Sequence, residues 1–380
     1  MPKHEAHRNE LRIVLTGGLT GGHLFPLLAV AKAVANRSSV PVTFLYLGPP
    51  GRFGCDAVRN ENIPVRPIVT GKLRRYFSFR NLVDPFKAVI GFVQSIWYLY
   101  AYMPDVVFAK GGAVSVPVCL AAWALRIPFM IHDSDAVPGA ANRMLAGFAS
   151  RIAVAYPSAA GEFPVEKTAV TGNPVRPELS GGIASRADSY FGFASDKPLV
   201  LVLGGSLGAK SLNAAVARML PDVIRETQIL HQTGEAGYAE TVSIAGEYGI
   251  KAGREGYVVT PFLSASELAD ALVRADIVIS RAGASTVSEL AAFGKPSILV
   301  PLPTAANDEQ RMNAYQVAGI GGAVVLEESN LGEHILSAKV DTLLRDGNLR
   351  EAMSEAIRAF HNPAAADMLA DGIIGLSANA

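Results

Sequence analysis

The chain has 380 residues, of which half are apolar and 18% are charged. This composition excludes a disordered or mainly solvating chain, and the length favours two domains of ordinary size. The 34 Lys and Arg residues balance 34 Asp and Glu residues. No overall positive charge therefore attracts nucleic acid, and we expect no nucleic-acid partner.

The cysteine content and the first residues predict a cytoplasmic protein. Cys55 and Cys119 are too few for a disulfide framework or a four-thiolate zinc site, which favours a reducing compartment. The polar residues 1–10 precede only a short apolar run, so we expect no secretory signal. The uncharged stretch 88–104 is shorter than the ~20 residues of a membrane span and predicts a buried or membrane-surface helix.

Apolar strand-like runs alternate with helix-length segments in both halves of the chain. This alternation predicts parallel βαβ units and an α/β fold of two Rossmann-like, doubly wound domains that face a cleft. A segment rich in Gly, Pro and Ser separates the two series of strands, as in an interdomain connection. The predicted divisions are a polar tail (1–10), an N-terminal domain (11–172), a connection (173–198) and a C-terminal domain (199–380) whose last helix is a candidate to return to the first domain.

Each predicted domain starts with a strand, a Gly-rich turn and a helix. The turns at 16–23 and 204–209 bring backbone N–H groups to the positive end of a helix, which suits a phosphate. Neither turn has Walker A spacing. The second strands end at Gly48 and at 232–234, without the acidic residue that a dinucleotide fold uses for the ribose. A nucleotide or a sugar phosphate is therefore the expected ligand.

The second turn also has the G-x-S-x-G spacing of a nucleophile elbow, with Ser206 as the nucleophile. A serine hydrolase needs an acid and then a histidine downstream of that serine. The later histidines are His231, His334 and His361, and none has an obvious acid partner in a strand-end loop. The hydrolase is therefore a weaker alternative.

Three groups of polar residues at predicted strand ends admit two interpretations each. Residues 286–289 have the T-x-x-E form of a capping box, whereas the Glu289 carboxylate also suits two ribose hydroxyls. His23 is either a structural hydrogen-bonding group or a neutral proton acceptor at a helix start. Asp133 and Asp135 form a D-x-D pattern that suits a divalent metal beside a diphosphate or only a helix cap.

A basic and aromatic stretch covers residues 72–87. Such a mixture favours docking on an anionic membrane, with a solvated loop and an RNA-stacking surface as the alternatives. The residues chosen for the membrane patch are Lys72, Leu73, Arg74, Arg75, Phe77, Phe79, Arg80 and Phe86.

Several segments together resemble the MurG family of bacterial N-acetylglucosaminyltransferases over about residues 11–360. They are TGGLTGGHLFPLLAVA, KGGAVSVP, HDSDAVPGAANR, GNPVR, GGSLGAKSLN, SRAGASTVSELAAFGKPSILVPLP and NDEQRMNA. The resemblance implies a GT-B fold and inverting transfer of N-acetylglucosamine from UDP-N-acetylglucosamine to the 4-hydroxyl of the muramyl sugar of lipid I, giving lipid II and UDP. It implies peripheral attachment to the cytoplasmic face of the bacterial plasma membrane and contacts with other cell-wall synthesis proteins. It implies that the enzyme requires no cofactor, and it leaves the dependence on a divalent metal open.

The resemblance also implies roles for single residues. His23 is the leading general base and Asp133 its competitor. The residues expected to bind the acceptor, which we call the acceptor side, are Thr16, Gly17, Gly18, Thr20, Gly21, Gly22, Gly111 and Gly112. The residues expected to bind the UDP-sugar donor, which we call the donor side, are Asp135, Arg176, Gly205, Ser206, Leu207, Gly208, Ala209, Phe262, Leu263, Ala284, Ser285, Glu289 and Gln310.

Four positions depart from the family pattern: Leu19, the H-D-S-D segment at 132–135, Ala113 and Glu309. An Asp135 that replaces an asparagine turns a donor and acceptor group into an acceptor-only anion, which affects the choice of donor sugar. The rival functions are a related UDP-sugar transferase with another lipid or polyprenyl acceptor, a non-catalytic nucleotide-binding subunit and a sugar-nucleotide epimerase.

Overall fold

A computed structural model describes residues 10–18, 20–71, 80–205, 209–253, 256–332 and 334–378, with the backbone alone at 52, 53, 80–83 and 85. The chain forms two compact units. Unit 1 comprises Met1–Pro174 with Pro363–Ala380, and unit 2 comprises Val175–Asn362.

The described part of unit 1 contains a seven-stranded parallel sheet with the order β3-β2-β1-β4-β5-β6-β7. The strands are β1 (Leu11–Thr16), β2 (Val42–Gly48), β3 (Val65–Pro67), β4 (Val106–Ala109), β5 (Phe129–Asp133), β6 (Arg151–Val154) and β7 (Thr168–Val170). The central strands β4 and β5 are buried along their whole length, which explains their continuous apolar sequences. In the register, Leu15 lies between Tyr46 and Phe108.

Six α-helices precede the domain boundary in the described part of the chain. They are α1 (Gly21–Arg37), α2 (Arg52–Asn60), α3 (Arg80–Tyr102), α4 (Ser115–Ala124), α5 (Ala140–Leu145) and α6 (Pro157–Ala160). The apolar face of α1 enters the core through Leu24, Leu27 and Val34, against β1 and β2. Among the described residues, no helix is long and apolar enough to cross a bilayer.

Unit 2 repeats the plan with a six-stranded parallel sheet of order β10-β9-β8-β11-β12-β13 in its described part. The strands are β8 (Leu199–Leu203), β9 (Gln228–Gln232), β10 (Tyr257–Thr260), β11 (Ile277–Ser280), β12 (Ser297–Leu299) and β13 (Ala323–Val325). The helices are α7 (Ala184–Phe191), α8 (Lys210–Val223), α9 (Tyr238–Glu247), α10 (Ala265–Arg274), α11 (Ala284–Phe293), α12 (Glu309–Gly319), α13 (Ile335–Arg345) and α14 (Gly347–Phe360). Strand orders that run outward from β1 and β8 are those of doubly wound folds.

The segment predicted as a connection, 173–198, is mostly built into unit 2. Its helix α7 packs against α10. Arg186 of α7 donates to the buried carboxylate of Asp270 over 2.6 Å. These contacts place the boundary of the two units at 174–175 rather than across the whole segment.

The last helix, α15 (Ala365–Ser377), belongs to unit 1 and packs along α1. Leu369 and Ile373 are fully buried in the core that α1 shares with β1. Arg37 of α1 donates to both carboxylate oxygens of Asp371, at 2.7 and 2.8 Å. Helix α15 therefore packs with α1 on the sheet of unit 1.

We predict that Leu369→Ala lowers the free energy of unfolding by about 2–5 kcal/mol, because it opens a cavity beneath α1. Met368→Ala is the matched control, since Met368 on the same helix is 41% exposed; its effect should stay below about 0.5 kcal/mol. Urea unfolding followed by circular dichroism measures both. Equal effects of the two substitutions would contradict the packing of α15 on unit 1.

Candidate active site

The turn after β1 is enclosed by three side chains of unit 1. The buried hydroxyl of Tyr46 donates to the Gly17 carbonyl over 2.7 Å. A Cβ atom on Gly17 would lie 3.2 Å from Cβ of Lys110, and one on Gly18 would lie 3.1 Å from Nδ1 of His23. A side chain at either position would therefore require the neighbouring side chain to move by a few tenths of an ångström.

His23 lies in the first turn of α1, and its Nδ1 is 2.8 Å from Oγ1 of Thr20. The pKa of His23 is lowered to about 4, mainly by burial and then by the positive charge of Lys110, while the negative charge of Asp133 acts in the opposite direction. The ring is therefore neutral at pH 7. When Nδ1–H donates to the Thr20 hydroxyl, Nε2 carries the lone pair that a proton acceptor needs.

The remaining glycines of the predicted acceptor side also lie at strand ends of unit 1. Gly21 and Gly22 begin α1, where the helix dipole favours negative charge. Gly111 and Gly112 have φ values of +86° and +85°. A Cβ on Gly112 would lie 3.3 Å from the amide nitrogen of Gly18, so the turns after β1 and β4 are in contact.

Thr16 ends β1 and is fully buried. Its Oγ1 has no hydrogen-bond partner among the described residues. Two of the positions that depart from the family pattern are close in sequence to these turns. Ala113 is exposed directly after Gly112, and Leu19 lies outside the described residues.

Asp133 holds the loop that follows β5. Its buried carboxylate accepts from the amide of Gly139 and from Nδ2 of Asn142, both at 2.9 Å, and from the amide of Asp135 at 3.2 Å. Both oxygens of this carboxylate are thus engaged by N–H groups of its own loop and of α5, so this geometry favours His23 as the base. In the described part of the chain, no group of three His, Cys, Asp or Glu side chains could hold a metal ion.

A buried lysine that the motifs did not single out lies beside these residues. Lys110 follows β4, and its Nζ contacts Nδ1 of His132, Oγ of Ser134 and, at 2.9 Å, Oδ1 of Asn173. Burial lowers the pKa of Lys110 to about 7, opposed by Asp133 and Asp135. The sequence signal was a single cation directly after the apolar run VVFA.

The donor turn of unit 2 is described only at its edges. Gly205 has φ of +77°, and buried Ala209 precedes α8. A Cβ on Gly204 would lie 3.1 Å from Oδ1 of Asn213 and 3.1 Å from the carbonyl of Gln232, so the start of the turn is tightly enclosed. Ser206, Leu207 and Gly208 lie outside the described residues.

Glu289 forms an ion pair with Arg176 inside unit 2. Nε of Arg176 donates to Oε1 of Glu289 over 2.9 Å, and both side chains are nearly buried. Burial raises the pKa of Glu289, and Arg176 opposes the rise. The ion pair with the guanidinium therefore favours the charged form of this carboxylate and partly offsets the effect of burial.

The capping-box interpretation of residues 286–289 is wrong. Helix α11 begins at Ala284, two residues before Thr286, and its N-cap, Gly283, makes no side-chain cap. Glu289 is thus in the second turn of the helix. Ala284 and Ser285 occupy the first turn, where the positive end of the helix dipole lies.

The other predicted donor residues of unit 2 lie in the loop after β10 and in the first turn of α12. Phe262 is more than half exposed, whereas Leu263 is buried and its amide donates to Oε1 of Gln232 over 3.2 Å. Oε1 of Gln310 accepts from the amide of Leu302 at 3.1 Å. A ligand that uses the Leu263 amide must therefore displace Gln232.

The histidines that a serine hydrolase would need are engaged elsewhere. His231 is buried between the hydroxyl of Tyr257 and Oδ1 of Asn213, at 3.0 and 3.1 Å. His334 pairs with Asp222 on an exposed surface. The ring nitrogens of these two histidines are therefore engaged by Tyr257, Asn213 and Asp222, while Ser206 lies outside the described residues.

The predicted membrane patch is only partly described. Residues 72–79 and the Arg80 side chain lie outside the described part. Phe86 begins a row of apolar side chains on α3 that are 50–70% exposed, and we name this row the α3 face. It comprises Phe86, Val89, Ile90, Val93, Trp97 and Tyr100. Spacings of three and four residues put them on one side of the helix.

Two family models match the chain: the glycosyltransferase family 28 N-terminal domain over residues 13–154 and the C-terminal domain of the same family over residues 199–368. The chain belongs to this family. The N-acetylmuramyl-(pentapeptide) pyrophosphoryl-undecaprenol N-acetylglucosamine transferase of Treponema pallidum is 39% identical over 349 residues, with 90% of each chain covered. A transferase of the same name in Bacillus thuringiensis is 35% identical over 351 residues, covering 92% of this chain and 95% of the relative.

Among solved structures, the crystal structure of Acinetobacter baumannii MurG matches with a TM-score of 0.75 at 29% identity. The match covers 96% of this chain and 99% of that one. These findings confirm the resemblance to the MurG family and the α/β, GT-B fold class predicted from the sequence.

We predict that Arg176→Met destabilises unit 2 by about 3 kcal/mol, because it leaves the Glu289 carboxylate buried without a counter-ion. Adding Glu289→Gln should recover much of this loss, since a neutral amide needs no cation. Urea unfolding of the two single variants and the double variant measures the coupling. Simple addition of the two single effects would show that the ion pair contributes nothing.

Proposed function

We propose that the chain transfers N-acetylglucosamine from UDP-N-acetylglucosamine to the muramyl sugar of lipid I, giving lipid II and UDP in peptidoglycan synthesis. The family membership and the activity named for relatives of 35–39% identity support this reaction. The single observation that carries the chemistry is the position of His23 in the first turn of α1, where its Nδ1 contacts Thr20 and its ring lies beside the Gly17–Gly18 turn.

In this proposal unit 2 holds the donor. The Glu289 carboxylate accepts hydrogen bonds from the two ribose hydroxyls, and Gln310 contacts the sugar hydroxyls. Arg176 and the N-terminal end of α8 face the diphosphate, where positive charge stabilises the departing UDP. Because the protein itself supplies this charge, the proposal includes no cofactor, and chelation by EDTA tests metal dependence.

Unit 1 holds the acceptor. The turns at 17–18 and 111–112 and the start of α1 offer backbone N–H groups to the lipid diphosphate. Nε2 of His23 takes the proton of the acceptor 4-hydroxyl, while the oxygen of that hydroxyl forms a bond to C1 of the donor sugar. The bond from C1 to the UDP oxygen breaks on the opposite face, so the anomeric centre is inverted. The nearby diphosphate raises the low pKa of His23 towards the working pH, which improves the base.

The α3 face is the proposed membrane-docking surface. Lipid I is anchored in a bilayer, and a row of exposed apolar side chains on one helix suits insertion among acyl chains. The basic residues Lys72, Arg74 and Arg75 precede this helix in sequence and suit anionic head groups. We therefore place the enzyme peripherally on the cytoplasmic face of the plasma membrane.

Release of UDP with and without a lipid I analogue in detergent tests the function, with UDP-glucose as the competing donor. Release from UDP-N-acetylglucosamine that depends on the acceptor supports the proposal. Preference for another sugar indicates the related transferase with a different substrate. UDP binding without turnover on the acceptor indicates a non-catalytic subunit.

We predict that His23→Gln lowers kcat by about 100-fold or more, because the acceptor hydroxyl loses its proton acceptor. KM for UDP-N-acetylglucosamine should change by less than about twofold, since His23 belongs to the other unit. His334→Gln, at an exposed histidine of unit 2, is the control. An unchanged kcat in His23→Gln would remove this residue from the chemistry.

We predict that the double variant Val93→Ser/Trp97→Ser binds phosphatidylglycerol vesicles about tenfold more weakly, because it removes two apolar side chains from the α3 face. Cosedimentation with the vesicles measures binding. Val165→Ser/Tyr190→Ser changes two equally exposed residues outside this face and should bind as the wild type does. Equal loss in both double variants would contradict docking through α3.

A further inference from the structure

Lys110 joins three segments of unit 1 that are distant in sequence. It follows β4, while His132 and Ser134 end β5 and Asn173 lies beyond β7. Its backbone amide also donates to the carbonyl of Thr16 at the end of β1 over 2.9 Å. One residue thus contacts the ends of the strands around which the acceptor turns are built.

The surroundings of Lys110 fit an ammonium group. A protonated lysine has three N–H donors and no acceptor, and three acceptors surround its Nζ. Nε2 of His132 lies 3.1 Å from the carbonyl of Gly172, to which it donates, so Nδ1 carries the lone pair that faces Lys110. Burial and then the charge of Lys110 hold the pKa of His132 well below its ordinary value, which keeps this acceptor neutral.

The Gly17–Gly18 turn lies between Lys110 and His23. On one side, the site of a Gly17 side chain is filled by the Lys110 stem, and on the other the Gly18 site is filled by the His23 ring. A Cβ atom added to either glycine would lie closer to these side chains than ordinary packing distances. The Lys110 side chain and the His23 ring therefore lie on either side of two glycines, and the charge of Lys110 lowers the pKa of His23.

We propose that Lys110 is a positioning residue for the transfer reaction, which fixes the acceptor turns and places a positive charge behind the Gly17–Gly18 turn, where the charge adds to the effect of burial in disfavouring a proton on His23. The inference rests on the proposed function, because it assigns His23 as the base. A neutral ring can take the hydroxyl proton, and the same charge favours the anionic acceptor diphosphate. The charged groups that act on His23 are Lys110 and Asp133, and those that act on Lys110 are Asp133 and Asp135.

The direct test is titration of His23 by NMR in the full chain with ¹³C-labelled histidine, assigned by comparison with His23→Gln. In Lys110→Met, the pKa of His23 should rise by on the order of one pH unit, because a repelling charge has gone. Lys110→Arg keeps the charge and should restore most of the wild-type value. Ser134→Ala is the matched control, since it removes one contact of Lys110 and leaves the charge in place.

Kinetics supply a second readout. The acid limb of the kcat profile should move to higher pH in Lys110→Met and return in Lys110→Arg, while KM for UDP-N-acetylglucosamine stays constant. A merely structural lysine would lower stability and kcat without moving this limb. An unchanged pKa of His23 in folded Lys110→Met overturns the inference.

If Lys110→Met does not fold, NMR titration of the wild-type protein still tests the inference. Its His23 ring resonances should show a second inflection near pH 7, where Lys110 loses its proton, and absence of that inflection overturns the inference. The NMR result does not depend on turnover. Absence of sugar transfer therefore defeats the proposed function, whereas transfer without the Lys110 effect defeats this inference alone.

Discussion

A charged side chain buried at the end of a parallel sheet must find its partners within the protein, since water does not reach it. Lys110 meets this requirement in unit 1 with His132, Ser134 and Asn173. Arg176 and Glu289 meet it in unit 2 with each other. These partnerships fix the loops at the carboxyl ends of the strands, which is where doubly wound sheets bind their ligands.

The two arrangements suit two different tasks. In unit 2 the buried pair holds Glu289, the acceptor proposed for the ribose hydroxyls, against Arg176. In unit 1 the ammonium group of Lys110 contacts neutral acceptors, and the charges of Asp133 and Asp135 also act on it. In the proposed reaction, Arg176 faces the donor diphosphate and the charge of Lys110 favours the acceptor diphosphate.

Much of the fold follows from local sequence. The apolar runs at β1, β4 and β8 are strands because they are covered on both faces, and the glycine pairs mark the turns. Long-range contacts explain what local patterns missed. The S-x-x-E motif at Ser264 forms a true capping box, whereas T-x-x-E at Thr286 lies inside α11. The role of Lys110 could not be predicted from local sequence, because its partners come from the end of β5 and from beyond β7. The sequence left open whether the helix over 88–104 is buried or lies at a membrane surface, and the structure shows that one row of its apolar side chains is exposed.

The most direct test of the account is mass spectrometry of the lipid product after incubation of the full chain with UDP-N-acetylglucosamine and a lipid I analogue. The account predicts that the lipid gains one N-acetylhexosamine and that UDP appears in equal amount. An unmodified lipid together with an epimerised or hydrolysed UDP-sugar would contradict it.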